Sequence, residues 1–218
     1  MSSKNGQNNS LYIKTGPALT FQSLDNKSKD ILDAWLKYGT VFLVYRICSY
    51  YFFETSSDAK LFDGESLRLV LFILLGFTLY YLLVKPYIPV NLQHPIFKNI
   101  ANDTLMFGTV LASMHLLESF VSPSDYSMDG NWLKNAGLVL LSFAAYRIFI
   151  DPFIPKTTNV TWKPVVSDWT QFGSFLVFFR LLQGKSIIDQ KWITSVLFVL
   201  LGFTGYHFVT KKLLVVRQ

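Results

Sequence analysis

Cysteine is almost missing from this chain. Cys48 stands alone inside an apolar run, which excludes an intrachain disulfide and leaves a cysteine-based metal site without a second ligand. Charge is scarce too: charged residues make up 16% of the sequence, against about 25% in a soluble globular domain. The deficit is concentrated in several long runs. Met1–Ser10 is polar, with no apolar leader, so no cleavable signal peptide is expected. Ser2 stands where myristoylation requires glycine. Insertion is therefore expected to be directed by the first internal helix. Catalytic signatures are absent as well: there is no Gly-x-Ser-x-Gly elbow, no P-loop and no Rossmann glycine pattern. The three histidines, His94, His115 and His207, fall at spacings that suit no metal site. A net charge of +6 without a dense Lys/Arg face argues against nucleic acid. The expectation is a non-enzymatic chain with no cofactor.

What is present is a series of apolar segments, roughly 35–53, 67–85, 104–121, 133–150, 169–182 and 193–210. A membrane-spanning helix needs about 20 such residues. The second, fourth and sixth segments meet that length cleanly. The first, third and fifth are interrupted by Arg46, by His115 and Glu118, and by Arg180, and the fifth is short. The fold class expected is an all-α polytopic membrane bundle of six helices, preceded by a polar arm over 1–33.

The segments are also related to one another. Val70-Leu71-Phe72-Ile73-Leu74-Leu75-Gly76-Phe77-Thr78 recurs as Val196-Leu197-Phe198-Val199-Leu200-Leu201-Gly202-Phe203-Thr204, with Tyr80 and Tyr206 at the same offset. Ser142-Phe143-Ala144-Ala145-Tyr146 is a looser copy. Its exit, Asp151-Pro152-Phe153-Ile154-Pro155, matches Lys85-Pro86-Tyr87-Ile88-Pro89. Tyr38-Gly39-Thr40, Phe107-Gly108-Thr109 and Phe172-Gly173-Ser174 match likewise, each followed seven residues after the glycine by Arg46, His115 or Arg180. Asp63-Gly64 and Asp129-Gly130 mark turns within the first two units. A period seen three times indicates tandem hairpins, here 34–99, 100–165 and 166–218.

Six spans place both termini on one side. That side carries most of the basic residues outside the spans, among them Lys14, Lys29, Lys85, Lys98, Lys156 and Lys211, and is therefore expected to be cytoplasmic. The sequons at Asn26, Asn102 and Asn159 fall on or near it and are expected to be unglycosylated.

Two groups of residues are candidates for a role. Gly39, Gly108 and Gly173, with Gly76 and Gly202, are read as helix-packing positions, because small residues let helices approach closely. Arg46, His115, Arg180, Arg147 and His207 lie in or near the spans, where an arginine costs about 2.5–3.5 kcal/mol at a helix centre. They are read as snorkelling to the headgroups. The alternative is a polar track, with Arg46, His115 and Arg180 as a ring about a pseudo-threefold axis. Glu118 is taken as the only acid well inside a span boundary. The Pro-aromatic-Ile-Pro exits are expected to stop their helices and lay the chain along the interface, with Tyr87, Phe153 and Trp162 as belt residues.

Three two-helix units have the plan of mitochondrial carriers, but the carriers' Pro-x-acid-x-x-basic kink is absent from the odd helices. A small Phe/Tyr/Lys/Asn-rich bundle with a polar N-terminal arm, short loops and no active site more closely resembles the multi-pass membrane proteins beneath the capsids of large icosahedral DNA viruses. The resemblance is of general character, without a shared motif. It implies a structural role in a virion internal membrane or the endoplasmic reticulum, with protein partners met through the arm and loops. A small transporter or channel is the alternative, and oligomers are open to either.

Overall fold

The structure, a computed structural model, describes residues 26–53, 61–88, 95–121, 130–154 and 162–215. It is all-helical among the described residues, with six long helices: α1 (Asn26–Phe53), α2 (Gly64–Leu79), α3 (Pro95–Val121), α4 (Gly130–Phe149), α5 (Lys163–Leu182) and α6 (Gln190–Gly205). A last short helix, α7, covers Lys211–Val215. Four of the long helices, counted with their terminal turns, are long and apolar enough to cross a membrane: α2, α3, α4 and α6. The helices α1 and α5 are not among the four; α1 carries more charge, including Lys29, Asp30, Asp33 and Lys37, and α5 holds Asp168 and Arg180.

The odd helices begin earlier than hydropathy indicated. The first starts at Asn26 instead of 35, so residues 26–33, assigned to the polar arm, are helical. The third starts at Pro95 instead of 104, and the fifth at Lys163 instead of 169. An apolar window finds the lipid-facing part of a helix and misses a polar first turn or two, which backbone hydrogen bonding extends regardless. The remainder of the expected arm, 1–25, lies outside the described residues.

Aspartates start two of the even helices. Asp63 accepts a hydrogen bond from the Ser66 amide at 2.5 Å, and Asp189 accepts from the Lys191 and Trp192 amides at 3.0 and 3.2 Å. These are N-caps that satisfy otherwise orphaned amides. Gly184, at φ +69°, makes the turn after α5 in the left-handed region that favours glycine. At their far ends α2 and α6 loosen into π turns, Tyr80–Val84 and Tyr206–Thr210. The proline exits are 3₁₀ turns, Lys85–Tyr87 and Asp151–Phe153, whose aromatic residues Tyr87 and Phe153 are 83% and 81% exposed.

Successive long helices pack against one another, and α1 also packs along α6, closing a ring. The start of each odd helix lies beside the end of an even one, as the Arg147–Asp103 and His207–Asp168 contacts show. The ring thus has a turn end, with the Asp63 and Asp189 caps, and a terminal end, where α1 begins and α6 finishes. Its outer surface carries large apolar side chains, among them Leu43, Leu71, Leu116, Leu141, Phe149 and Leu197, all exposed. An apolar exterior of this extent is what a lipid environment accommodates and water does not.

Candidate functional site

The centre of the ring is aromatic. Each long helix contributes one ring: Tyr38, Phe77, Phe107, Phe143, Phe172 and Phe203. Within a hairpin the two rings stack, with centroids 4.1 Å apart for Tyr38–Phe77, 3.9 Å for Phe107–Phe143 and 4.4 Å for Phe172–Phe203. Between hairpins they meet edge to face: Tyr38–Phe172 at 6.1 Å, Phe77–Phe107 at 6.4 Å and Phe107–Phe172 at 6.2 Å. Offset-stacked and T-shaped pairs satisfy the ring quadrupoles and contribute beyond simple burial. The six positions are those that flank the repeated glycines or small residues in the sequence.

On the terminal side of this plug lies a layer of buried polar groups. Asp103 receives a bidentate contact from Arg147, Nε at 2.7 Å and Nη2 at 3.3 Å, and Nη1 of Arg147 reaches Asp151 at 3.0 Å. Asp168, at the matching place on α5, lies 2.8 Å from Nε2 of His207 and accepts from the Lys37 ammonium at 2.7 Å. In the first hairpin the same two positions hold Ala34 and Tyr81, so the acid and its base are missing together. Tyr80, Tyr146 and Tyr206 are each 1% exposed. Tyr80 donates to Asn102 at 2.6 Å, Tyr206 to Asp33, and Tyr146 to Asp151 at 3.3 Å. The indole of Trp35 donates to the Leu74 carbonyl and Thr78, and that of Trp169 to the Leu200 carbonyl and Thr204.

The acids of this layer escaped the reading from sequence, which named Glu118 as the only acid well inside a span. Asp103 and Asp168 are 3% and 6% exposed. They sat just before the apolar windows, which began at 104 and 169. The signal that points to them is register: each stands five residues before its glycine, Gly108 or Gly173. Glu118 is also buried, and pairs with Arg68 of α2 at 3.5 Å.

At the turn end, Arg46 and Arg180 are used locally. Arg46 donates Nε to the Leu61 carbonyl at 3.1 Å and approaches Asp63 at 3.4 Å. Arg180 donates Nε to the Ser186 carbonyl at 3.0 Å and Nη2 to Asp189 at 2.9 Å. Each arginine fastens the turn of its own hairpin to the cap of the next helix. His115 packs against Trp132 with the rings tilted, 4.5 Å between centroids, also within its own hairpin. In these contacts each of the three meets a partner from its own hairpin. Asp129, expected to mark the second turn, lies outside the described residues. The carboxyls of Asp63 and Asp189 are held below the usual aspartate value, chiefly by the backbone amides of Ser66 and Trp192. Arg147 and His207, read as snorkelling, are held at the terminal end by Asp103 and Asp168.

The glycines divide. A Cβ on Gly76 would lie 2.9 Å from Val110 Cα, and one on Gly202 would lie 2.7 Å from Val41 Cα, so these two are points of closest helix approach. Their counterpart on α4, Ser142, is 0% exposed. A Cβ on Gly39 or Gly108 would meet nothing within 4 Å, and on Gly173 only Leu200 Cδ2 at 3.9 Å. A Cβ at these three, expected to be helix-packing positions, thus has room. The tight seams run between successive hairpins, α2/α3 and α6/α1, and the small residues that create them sit on the even helices.

Compared with known protein families, curated proteins and solved structures, the chain matches none of them. Among the described residues, no three His, Cys, Asp or Glu side chains converge where a metal ion could be held.

Proposed function

We propose that this chain is a non-enzymatic, six-span membrane protein of three tandem hairpins that anchors or organises a protein layer at one face of its membrane. The observation that carries this reading is the aromatic plug: six rings, one per helix, fill the place where a pore or a translocated solute would have to pass. Matching positions of the three segments make matching contacts around it, which supports duplication of one hairpin. Both ends of the described chain lie at the same end of the bundle, and the basic residues gather there, which supports termini on the cytoplasmic side. The apolar exterior and buried ion pairs suit an anchor whose task is to hold position. The polar N-terminal arm and the loops are the docking segments in this reading. The membrane is that of a virion or an internal organelle, and the partner is a protein shell. Crosslinking from a photoreactive residue in the arm, in the native membrane, tests this: capture of one abundant shell protein is the expected result. Saturable solute or ion flux through liposomes bearing the purified chain overturns it.

A second reading, a small transporter, is favoured by one specific observation, the buried Lys37–Asp168–His207 cluster, because ionisable groups inside a membrane bundle usually mark a working site. Flux that is lost in Asp168→Asn and kept in Asp63→Asn distinguishes it from the anchor.

A further inference from the structure

Lys37 reaches away from its own hairpin. Its ammonium lies 2.7 Å from Asp168, a residue 131 positions along the chain. The same nitrogen stands over three members of the aromatic plug, 5.9 Å from the Tyr38 centroid, 6.0 Å from Phe172 and 5.4 Å from Phe203. The imidazole of His207 closes the other side of the carboxylate at 2.8 Å, and both side chains of that pair are 9% exposed. A carboxylate set above aromatic faces is the arrangement that recognises ammonium ions: the anion neutralises the charge and accepts hydrogen bonds, and the ring quadrupoles attract what remains.

The cage belongs to α5 and α6, apart from Tyr38, and the cation that fills it belongs to α1. The contrast with the second hairpin makes this informative. There both oxygens of Asp103 are taken by the bidentate guanidinium of Arg147 from its own hairpin. Among the described residues Asp168 has an imidazole from its own hairpin, and its permanent counter-charge comes from Lys37 of α1. We propose that Asp168, His207, Phe172, Phe203 and Tyr38 form a binding site for a primary alkylammonium, which the Lys37 side chain occupies as a tethered ligand and which takes a free amine when that side chain is withdrawn. The tether gives Lys37 a high effective concentration, so the wild-type site is self-occupied. The inference does not depend on the anchoring role proposed above.

The test uses the full chain in detergent micelles carrying Lys37→Ala, which removes the propylammonium arm beyond Cβ. Propylammonium, the matching fragment, is expected to raise the melting temperature of this variant saturably, by about 4 °C when well above its dissociation constant. The wild type is expected not to respond, and 1-propanol, of similar shape without the charge, is expected to have no saturable effect on the variant. Adding Asp168→Asn to Lys37→Ala should abolish the response. Equal shifts with propylammonium and 1-propanol, or no shift with either, overturn the proposal. Where Lys37→Ala alone does not fold, the readout becomes folded yield after purification with each compound present. Recovery with propylammonium only supports the site, and recovery with neither, or with both alike, overturns it.

Discussion

Replacing single glycines by alanine separates the two kinds of glycine in this bundle. An alanine at Gly202 places its Cβ 2.7 Å from Val41 Cα and 3.0 Å from the Val41 carbonyl oxygen. Carbon atoms in contact prefer about 3.5–4.0 Å, so α6 and α1 must part by roughly 1 Å along that seam. The obstacle is backbone, which no rotamer change relieves. Overpacking of this kind costs about 1–3 kcal/mol. At Gly39 and Gly108 the added methyl meets nothing within 4 Å, so only the helix-propensity gain, about 1 kcal/mol in a soluble helix, applies. Both substitutions carry that gain. The difference between them therefore isolates the steric term: G202A should be less stable than G39A by about 1–3 kcal/mol, and G76A less stable than G108A in the same way. At about 2–4 °C per kcal/mol, the melting temperatures in detergent should separate by about 2–12 °C. Steric-trap unfolding in bicelles measures the same difference as a free energy. G202A melting at or above G39A would refute the reasoning, and with it the assignment of the tight seams to the even-helix glycines.

Arg147→Ala leaves the 3%-exposed Asp103 carboxylate without its bidentate partner, and should cost about 3–5 kcal/mol in the same unfolding assay. The double variant with Asp103→Asn should recover part of that loss. Phe172→Ala, which removes the ring in contact with Tyr38, Phe107, Phe143 and Phe203, should cost about 3–5 kcal/mol, and Phe153→Ala at the 81%-exposed exit under about 0.5. The folded-state acidity of Asp63 and Asp189 is increased, so their capping contribution is present above the unfolded aspartate value and is lost as pH falls through the lower folded value. Melting curves should therefore lose stability below about pH 4, and that loss should be smaller in Asp63→Asn with Asp189→Asn. Single cysteines at Lys14 and Phe62, in a Cys48→Ser background, should be labelled by an impermeant thiol reagent from opposite sides. Labelling from the same side would overturn the six-span topology.

Long apolar runs determined the helical class without help from the rest of the fold, because a backbone in a solvent-poor environment must hydrogen-bond to itself. Asp63 was legible as a turn marker, while its capping role and that of Asp189 emerged with the helix starts, since an N-cap acts on amides two or three residues away. The repeated Gly-Phe and Tyr-Gly or Phe-Gly pairs were legible as repeats, and they marked the aromatic residues that meet at the axis. Sequence could not say which glycine of each repeat makes the close contact. Gly39 and Gly76 are equally small, and only the ring, in which α6 closes on α1 and α2 packs on α3, puts one against backbone and leaves the other in open space. The buried acids were hidden because hydropathy averages over a window, and Asp103 and Asp168 stand where polar first turns dilute it. The link between Lys37 and Asp168 had no local signature at all. A contact across 131 residues exists only because three hairpins close into a ring that brings the first helix back onto the fifth and sixth.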